Sequence, residues 1–232
     1  MDIYNLIYEI TRRCNARCEH CLRGSAQKVD MSDEIIDHSL EGVGSISTIA
    51  FTGGEPTLAV DRIRYILKAV KERGICVDSF YLVTNGKIES LELCLALIEW
   101  YAYCDSNDVS SFCISKDQYH TREIESTKEA HQLYQALSFY NAEERNGEIM
   151  FLIKEGRAKN IGVLEVSTCI DYETDKDGKI EHIEYVYVNA IGDVCTSCDL
   201  SFVSQKKNAI GSVLKNTIEQ IYLKQESIRS SP

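Results

Sequence analysis

Short apolar segments rich in β-branched residues alternate with longer segments of helical periodicity over the first 170 residues of the chain. In the helical segment at residues 58–73, apolar side chains recur every three or four positions, and Gly74 follows where a helix C-cap belongs. Ser32 stands as the N-cap of an earlier helix. The pattern predicts strands at residues 3–10, 49–52, 80–84, 109–115, 149–153 and 163–168. It predicts helices at residues 33–44, 58–73, 90–103 and 122–141.

This order of strand, helix and strand predicts the architecture. Connections long enough to hold a helix join parallel strands, and each such unit is right-handed. Six units make an α/β fold, a partial (β/α)6 TIM-like barrel, to which we assign residues 1–170. Residues 183–188 then alternate as a strand that turns back, and a helix follows at 217–224. We therefore expect residues 171–232 to form a small C-terminal cap made of a β-hairpin and a helix.

Composition narrows the class of protein. At 232 residues the chain is long enough for one substantial core, and no linker-like stretch divides it. A net charge of −11, from 36 acidic and 25 basic residues, argues against nucleic acid as a partner. Because the sequence shows no signal-like segment and no long apolar run, we expect a cytoplasmic protein without membrane contact. Its ten cysteines are then expected to be reduced thiols.

Several motifs follow the predicted strands directly. In parallel α/β folds, the loops at the C-terminal ends of the strands carry the reactive groups. The four segments in this position are a three-cysteine loop at residues 14–21, then residues 53–56, 84–86 and 115–117. They are therefore expected on one rim of the barrel.

Cys14, Cys18 and Cys21 are spaced four and then three residues apart in the first of these loops. Thiolates that converge on one centre suit zinc or an iron-sulfur cluster. Zinc would need a fourth ligand, and neighbouring His20 would have to fold back to supply it. A cluster of four irons held by three thiolates instead leaves one iron without a protein ligand, where reactivity can start. Arg17 and Arg12 are placed to help hold the thiolates deprotonated.

The three-cysteine loop after the first strand, followed by Gly53-Gly54-Glu55-Pro56 after the second, resembles the radical S-adenosylmethionine (radical SAM) enzymes. The resemblance covers about residues 3–170. It implies two cofactors, a 4Fe-4S cluster on the three cysteines and S-adenosylmethionine (SAM). It also implies reductive cleavage of SAM to a 5′-deoxyadenosyl radical that abstracts a hydrogen atom from substrate. Gly53, Gly54, Glu55 and Pro56 would bind the methionine amino group of SAM, since paired glycines let backbone approach a ligand closely.

Four further polar residues are candidate SAM contacts by the same resemblance. His20 stands where family members place a side chain against the adenine, or it simply faces solvent. Ser115 and Asp117 resemble polar residues that reach the ribose and the carboxylate of SAM, although helix capping explains them equally well. Asn85 is a similar candidate, but Asn-Gly is also a common turn. His120 is a candidate catalytic acid or base, and capping or packing would account for it too.

Cys169, Cys195 and Cys198 follow the predicted barrel. Residues 188–195 resemble the hairpin that begins the extension of the SPASM and twitch branches of the family, which carry additional clusters. Three cysteines are too few for two further clusters, and one auxiliary cluster would need a non-cysteine ligand or a remote thiol. The C-terminal segment is thus either a truncated twitch-like extension or a cap with leftover thiols.

The substrate class is open among several alternatives. The hairpin and Gly156-Arg157-Ala158 resemble the branch of the family that modifies peptides or proteins, which is the leading hypothesis. A glycyl-radical activating enzyme and a small-molecule or nucleotide enzyme are the alternatives within the family. A non-catalytic zinc-binding module is the alternative of another class. A radical SAM enzyme would also need an external one-electron donor such as flavodoxin or ferredoxin.

Overall fold

The computed structural model describes residues 1–123, 128–143, 146–168 and 170–229. The strands are β1 (Asp2–Thr11), β2 (Ser45–Gly53), β3 (Cys76–Thr84), β4 (Ser111–Ile114), β5 (Lys116–Asp117), β6 (Asn146–Gly147), β7 (Tyr172–Thr174), β8 (Ile180–Val188), β9 (Asp193–Cys195) and β10 (Ala209–Ser212). The helices are α1 (Asp33–Ser39), α2 (Val60–Arg73), α3 (Leu91–Tyr103), α4 (Gln118–Glu123), α5 (Lys128–Gln135), α6 (Phe202–Gln205) and α7 (Ile218–Arg229). Short 3-10 helices lie at Pro56–Leu58, Asn107–Val109 and Gly156–Asn160.

An eight-stranded sheet in the order β10-β9-β8-β1-β2-β3-β4, with β7 paired to β8, forms the centre of the molecule. The five strands β8, β1, β2, β3 and β4 run parallel to one another. The short strands β7, β9 and β10 are antiparallel additions. The predicted α/β class, with the parallel-dominated sheet of a partial TIM-like barrel, is confirmed.

Helix α2 shows how the sequence pattern builds the layer that covers the sheet. Its apolar positions, Ile63 and Ile66 among them, are fully buried, and Gly74 ends it in the left-handed conformation at φ 63°. The buried Trp100 of α3 donates from its indole nitrogen to the Ile63 carbonyl, 3.2 Å away, so the two helices pack together. Across the described residues, no helix combines the length and the apolar content that crossing a membrane needs.

The last two predicted strands of the barrel differ from the structure. Residues 149–153 and 163–168 meet only in a single parallel bridge between Ile153 and Leu164. The apolar side chains of Met150 and Phe151 are 79% and 59% exposed, so no buried face holds this segment in a continuous strand. The fifth and sixth barrel strands that the sequence predicted are therefore reduced to this bridge.

The C-terminal segment contributes more to the sheet than a separate cap would. The predicted hairpin is present as β8 and β9, which are antiparallel neighbours. Its first arm, β8, also pairs in parallel with residues 2–8 of β1 and so belongs to the central sheet. The division of the chain at residue 170 stays a prediction.

Candidate cofactor and metal site

The three cysteines lie on the loop that leaves the C-terminal end of β1. Backbone hydrogen bonds from Arg12 N to Val29 O, at 2.8 Å, and from Gln27 N to Arg12 O, at 2.9 Å, close the base of this loop. The side chains that pack together within it are those of Cys14, Ala16, Cys18 and Cys21. The fold thus brings together the three thiols that the sequence spacing singled out.

Burial raises the pKa of the Cys14 thiol to about 11, and the nearby Glu55, Cys21 and Cys18 add to the effect. This thiol is therefore protonated in the metal-free protein at neutral pH. The cysteines in the described ranges are free thiols rather than disulfides. Because metals and clusters bind thiolate, loading the site displaces this proton and becomes more favourable as the pH rises.

The glycine pair after β2 packs directly against the beginning of the cysteine loop. Gly54 N donates to Thr11 O and Glu55 N donates to Arg13 O, both at 2.8 Å. Gly53 has φ 140°, and a Cβ atom there would lie 2.1 Å from Thr11 O; a Cβ at Gly54 would lie 2.0 Å from Arg13 O. Only glycine fits at these positions, because the two loops touch through their backbones.

Glu55 is a buried carboxylate that ties the ends of two strands together. Its Oε1 atom accepts hydrogen bonds from Thr57 N at 3.1 Å, Thr57 Oγ1 at 2.8 Å and Thr84 Oγ1 at 2.6 Å. Its Oε2 atom accepts from Asn85 N at 2.9 Å. Pro56 begins the 3-10 helix that Glu55 caps. Glu55 therefore joins the glycine turn to the end of β3, and Oε2, with one of these bonds, keeps capacity for a ligand.

Asn85 connects the same region to the cysteine loop. Its Nδ2 atom donates to Asn15 Oδ1 at 2.8 Å, and its Oδ1 atom accepts from Lys87 N at 3.0 Å. Asn15 stands between the first two cysteines in sequence, and nothing in its local pattern distinguished it. It is a site residue that sequence reasoning missed.

Asp117 and His120 form an ion pair where β5 runs into α4. Asp117 Oδ1 accepts from Tyr119 N at 2.9 Å and from His120 N at 3.0 Å, and Oδ2 lies 2.6 Å from His120 Nδ1. Burial opposes the charge on Asp117, but the hydrogen bonds and charge of His120 outweigh it and lower the pKa of Asp117 to about 2. Burial likewise opposes the charge on His120, yet Asp117 and Cys18 raise its pKa to about 9. Both groups are charged at neutral pH.

His20, in the cysteine loop beside Cys21, packs against this ion pair. Its ring stacks on Tyr119 with the centroids 4.6 Å apart, and it meets the His120 ring edge-on at 4.7 Å. Ligand atoms of His20, Asp117 and His120 all lie within 4.8 Å of one another. The sulfur atoms of the described cysteines form no group as close as this. The His20 ring is thus directed to the fourth strand end.

A cavity of about 430 Å³ opens beside these side chains. The predicted site residues that line it are His20, Ser115, Asp117 and His120. Its other walls include the apolar Phe151 and Leu152 and the acidic Glu148 and Asp199, and no lysine or arginine of the described chain lines it. The volume is in the range of small-molecule and cofactor sites.

A protein-family comparison matches residues 8–177, more than half of the chain, to the radical SAM superfamily. The chain belongs to the radical SAM superfamily. This family uses a 4Fe-4S cluster and SAM, the two cofactors that the sequence predicted. The residues present fit them: three soft thiol donors share one loop, and a glycine turn contacts that loop where a Cβ atom would not fit.

Two curated proteins show local similarity to this radical SAM chain. "Putative protein YfkA" of Bacillus subtilis (strain 168) is 35% identical over 83 residues, which cover 32% of the chain and 22% of that protein. "Molybdenum cofactor biosynthesis protein 1" of Dictyostelium discoideum is 34% identical over 91 residues, covering 36% of the chain and 14% of that protein. The chain therefore matches about a fifth of the first relative and less of the second.

Among solved structures, the fold is similar to that of anSMEcpe with bound AdoMet and the Cp18Cys peptide. The TM-score is 0.59 at 15% identity, over 96% of this chain and 80% of that chain. At this identity the likeness shows a shared fold, which agrees with the parallel sheet described above.

The C-terminal cysteines of this radical SAM protein lie in a small apolar cluster beneath β8. Cys195 is fully buried, its sulfur lies 3.7 Å from the Gln205 carbonyl oxygen, and burial raises its pKa to about 12. Cys198 packs in the same cluster, with its sulfur 3.7 Å from Asp199 Oδ1. Cys169, the third auxiliary candidate, lies outside the described residues.

The position of the Arg12 side chain contradicts the expectation that it helps hold the thiolates deprotonated. Its guanidinium does not face the thiols but is buried in an ion pair, with Nε 2.6 Å from Glu9 Oε1. Sequence reasoning missed Glu9, because this residue belongs to no motif and its importance depends on long-range contacts.

Proposed function

We propose that the protein is a radical SAM enzyme that holds a 4Fe-4S cluster on Cys14, Cys18 and Cys21 and acts on a peptide or protein. The observation that carries this proposal is the backbone contact between the cysteine loop and the glycine turn at residues 53–54. Such a contact puts soft ligands for a cluster and a close-fitting backbone surface for SAM next to each other.

The cofactors supply the difficult chemistry. Cys14, Cys18 and Cys21 would hold the cluster, and cluster and SAM together would supply reductive cleavage of SAM and hydrogen-atom abstraction from substrate, with the electron coming from an external donor such as flavodoxin or ferredoxin. We place this reaction in the cytoplasm, where the thiols stay reduced.

The chain's own residues bind and orient. Gly53 and Gly54 hold the turn against the backbone of the cysteine loop, and Glu55, fixed by Thr84 and the Asn85 amide, keeps capacity on Oε2 for the amino group of SAM. In the cavity wall, His20 offers a ring face for the adenine and Ser115 a polar contact.

Asp117 and His120 have different roles on the cavity wall, Asp117 as the hydrogen-bond acceptor and His120 as the proton donor. Because Asp117 holds the proton on His120, the imidazolium fits a proton donor better than a general base. Asp117 also caps α4 through the Tyr119 and His120 amides, so the structural role and the functional role coexist.

The cavity favours a peptide or protein substrate over the alternatives within the family. Phe151 and Leu152 give it apolar walls, and its acidic members Glu148 and Asp199 oppose the binding of an anionic nucleotide. The similarity to the fold of anSMEcpe, solved with a peptide, supports the same choice. A glycyl-radical activating enzyme stays the second candidate, since its substrate is also a polypeptide.

The zinc-binding alternative expects a fourth ligand from His20. His20, the expected candidate, stacks on Tyr119 and lies against His120. A set of three thiol donors on one loop fits a cluster with an open iron better than a closed structural zinc site with four ligands.

Anaerobic reconstitution with iron, sulfide and SAM tests the proposal. A brown protein that releases 5′-deoxyadenosine after reduction with dithionite is expected, and Cys18→Ala should abolish both the iron and the product. Cys113→Ala, which removes a buried thiol of β4, is the matched control and should keep both. A colourless protein with bound zinc, or turnover by Cys18→Ala, would refute the assignment.

A further inference from the structure

Arg12, two residues before the first cysteine, is a buried side chain that joins three parts of the fold. Its Nε atom lies 2.6 Å from Glu9 Oε1 on β1, and Nη1 donates to Gln27 Oε1 at 3.1 Å, where the cysteine loop closes. Its Nη2 atom donates to Gln205 Oε1 at 2.6 Å, on α6. One guanidinium therefore connects the start of the loop, its end and the C-terminal segment.

Gln205 contacts both members of the buried ion pair. While its Oε1 atom accepts from Arg12, its Nε2 atom donates to Glu9 Oε2 at 2.6 Å and to Tyr187 Oη at 3.1 Å. Tyr187 Oη also donates to Glu9 Oε2 at 2.7 Å. Glu9, Tyr187 and Gln205 are all fully buried. Each charge in this network is compensated by hydrogen bonds.

Phe202, at the beginning of α6, completes the contact. The Arg12 guanidinium lies 4.8 Å from the centroid of its ring, and Phe202 N donates to Arg23 O at 3.1 Å. Arg23 follows the last cysteine by two residues, and its Nη1 atom donates to Leu200 O at 2.7 Å. Helix α6 and the residues before it thus touch the cysteine loop on both sides of the three thiols.

Stability alone gives a weak reason for this arrangement. A buried ion pair loses its hydration, and well-packed apolar residues of similar volume are often as stable. What such a pair does provide is a fixed geometry, because breaking any one contact leaves a charge or a polar group unsatisfied. Here the fixed geometry is that of the loop that carries the thiols.

We propose that Phe202 and Gln205 are positioning residues that act through Arg12 and Glu9 to hold the cysteine loop in its cluster-binding arrangement. These four residues are called the Arg12 clamp. The inference rests on the proposed function, and it makes the C-terminal segment part of the cluster site although Phe202 and Gln205 are not themselves cluster ligands.

The test compares Gln205→Met, which keeps the length and volume of the side chain but removes its hydrogen bonds, with Phe202→Leu. Val203→Ser, at a position 74% exposed on the same helix, is the surface control. Val213→Ala, at a position 1% exposed outside the clamp, is a control for lost stability alone. All proteins are reconstituted anaerobically as the full chain, and circular dichroism and thermal unfolding first establish that each is folded.

Cluster loss to a chelator is then followed by absorbance, and the dithionite-reduced cluster is examined by EPR with and without SAM. The clamp variants are expected to lose the cluster about tenfold faster, the low end of the effect of residues that orient metal ligands, and to give altered EPR signals. Val203→Ser and Val213→Ala should keep wild-type behaviour in both measurements.

Folded clamp variants with wild-type retention and spectra would overturn the clamp, as would equal changes in Val213→Ala. If Gln205→Met does not fold, Phe202→Leu decides by the same criteria. If the wild-type protein takes up no cluster, both the proposed function and the Arg12 clamp are refuted. If the wild-type cluster is normal and the variants are unaffected, only the Arg12 clamp is refuted.

Discussion

The hydroxyl group of Thr84 donates a hydrogen bond of 2.6 Å to the buried carboxylate of Glu55, and so joins the end of β3 to the turn after β2. Both residues are 1% exposed. This contact fixes the glycine turn against the end of β3. The position of the turn therefore depends on a residue outside the Gly53-Gly54-Glu55-Pro56 segment.

Thr84→Val keeps the shape of the side chain but removes this donor. Because the carboxylate stays buried, the loss should reduce the free energy of unfolding by about 1.5–3 kcal/mol, the usual value of a hydrogen bond to a charged group. Urea unfolding of the metal-free protein measures it. Thr48→Val is the matched control, since it removes a half-buried neutral contact with Ser79 at 3.1 Å and should cost about 1 kcal/mol. Equal losses would contradict the role given to Glu55.

Gly53→Ala tests the close approach of the two loops. A Cβ atom there meets Thr11 O at 2.1 Å, so the turn and the cysteine loop must move apart, and iron uptake should fall together with stability. Gly42→Ala is the matched control because its φ of 74° is also positive but its Cβ atom has open space. It should cost only backbone strain, about 1–2 kcal/mol, and leave iron uptake unchanged. Normal iron content in Gly53→Ala would contradict the expected displacement.

The Asp117–His120 pair predicts a pH-dependent stability of the metal-free protein. The pKa of His120 is raised from 6.5 to about 9, so its contribution is complete below pH 6.5 and is lost as the pH rises through about 9. The pKa of Asp117 is lowered from 3.8 to about 2, so its contribution is complete above pH 3.8 and is lost as the pH falls through about 2. The pair therefore stabilises the fold fully between these two ordinary values.

His120→Gln should accordingly cost about 2 kcal/mol in urea unfolding at pH 5 and much less at pH 10. His182→Gln is the control, since this exposed histidine lies 3.9 Å from Asp2 and should contribute little at either pH. A cost for His120→Gln that is independent of pH would show that the ion pair is not formed.

Cys195→Ser tests whether the C-terminal thiols take part in iron binding. Cys195 is a buried, protonated thiol held against the Gln205 carbonyl, so we expect it to be a packing residue. Reconstituted wild type and variant should both contain about four irons per chain. A wild-type content near eight that falls in the variant would instead indicate an auxiliary cluster.

The fold could be predicted where the signal is local. The parallel strands β1 to β4 and the helices between them follow from apolar periodicity and from caps such as Gly74. The pairing of β8 with β1 joins segments more than 170 residues apart, and no local pattern encodes it. The prediction of a strand around Met150 was wrong for a different reason: the local apolar pattern is present, but these side chains are exposed and do not build a strand.

The candidate site was likewise predictable only where the signal in the sequence is local. The cysteine spacing and the glycine pair were readable because their chemistry needs those residue types at those positions. The contacts of Glu55 with Thr84, and of Asn85 with Asn15, required the tertiary structure, since each partner is an ordinary polar residue in its own segment.

The placement of β8 beside β1 has a consequence for biosynthesis. One edge of β1 has no partner until residues 180–188 have been synthesised, although the cysteine loop that follows β1 precedes them by more than 150 residues. Contacts between such distant segments form late because the intervening chain must first be closed into a loop. Stable metal binding should therefore require β8, and nascent chains stalled before β8 should hold no stable metal centre.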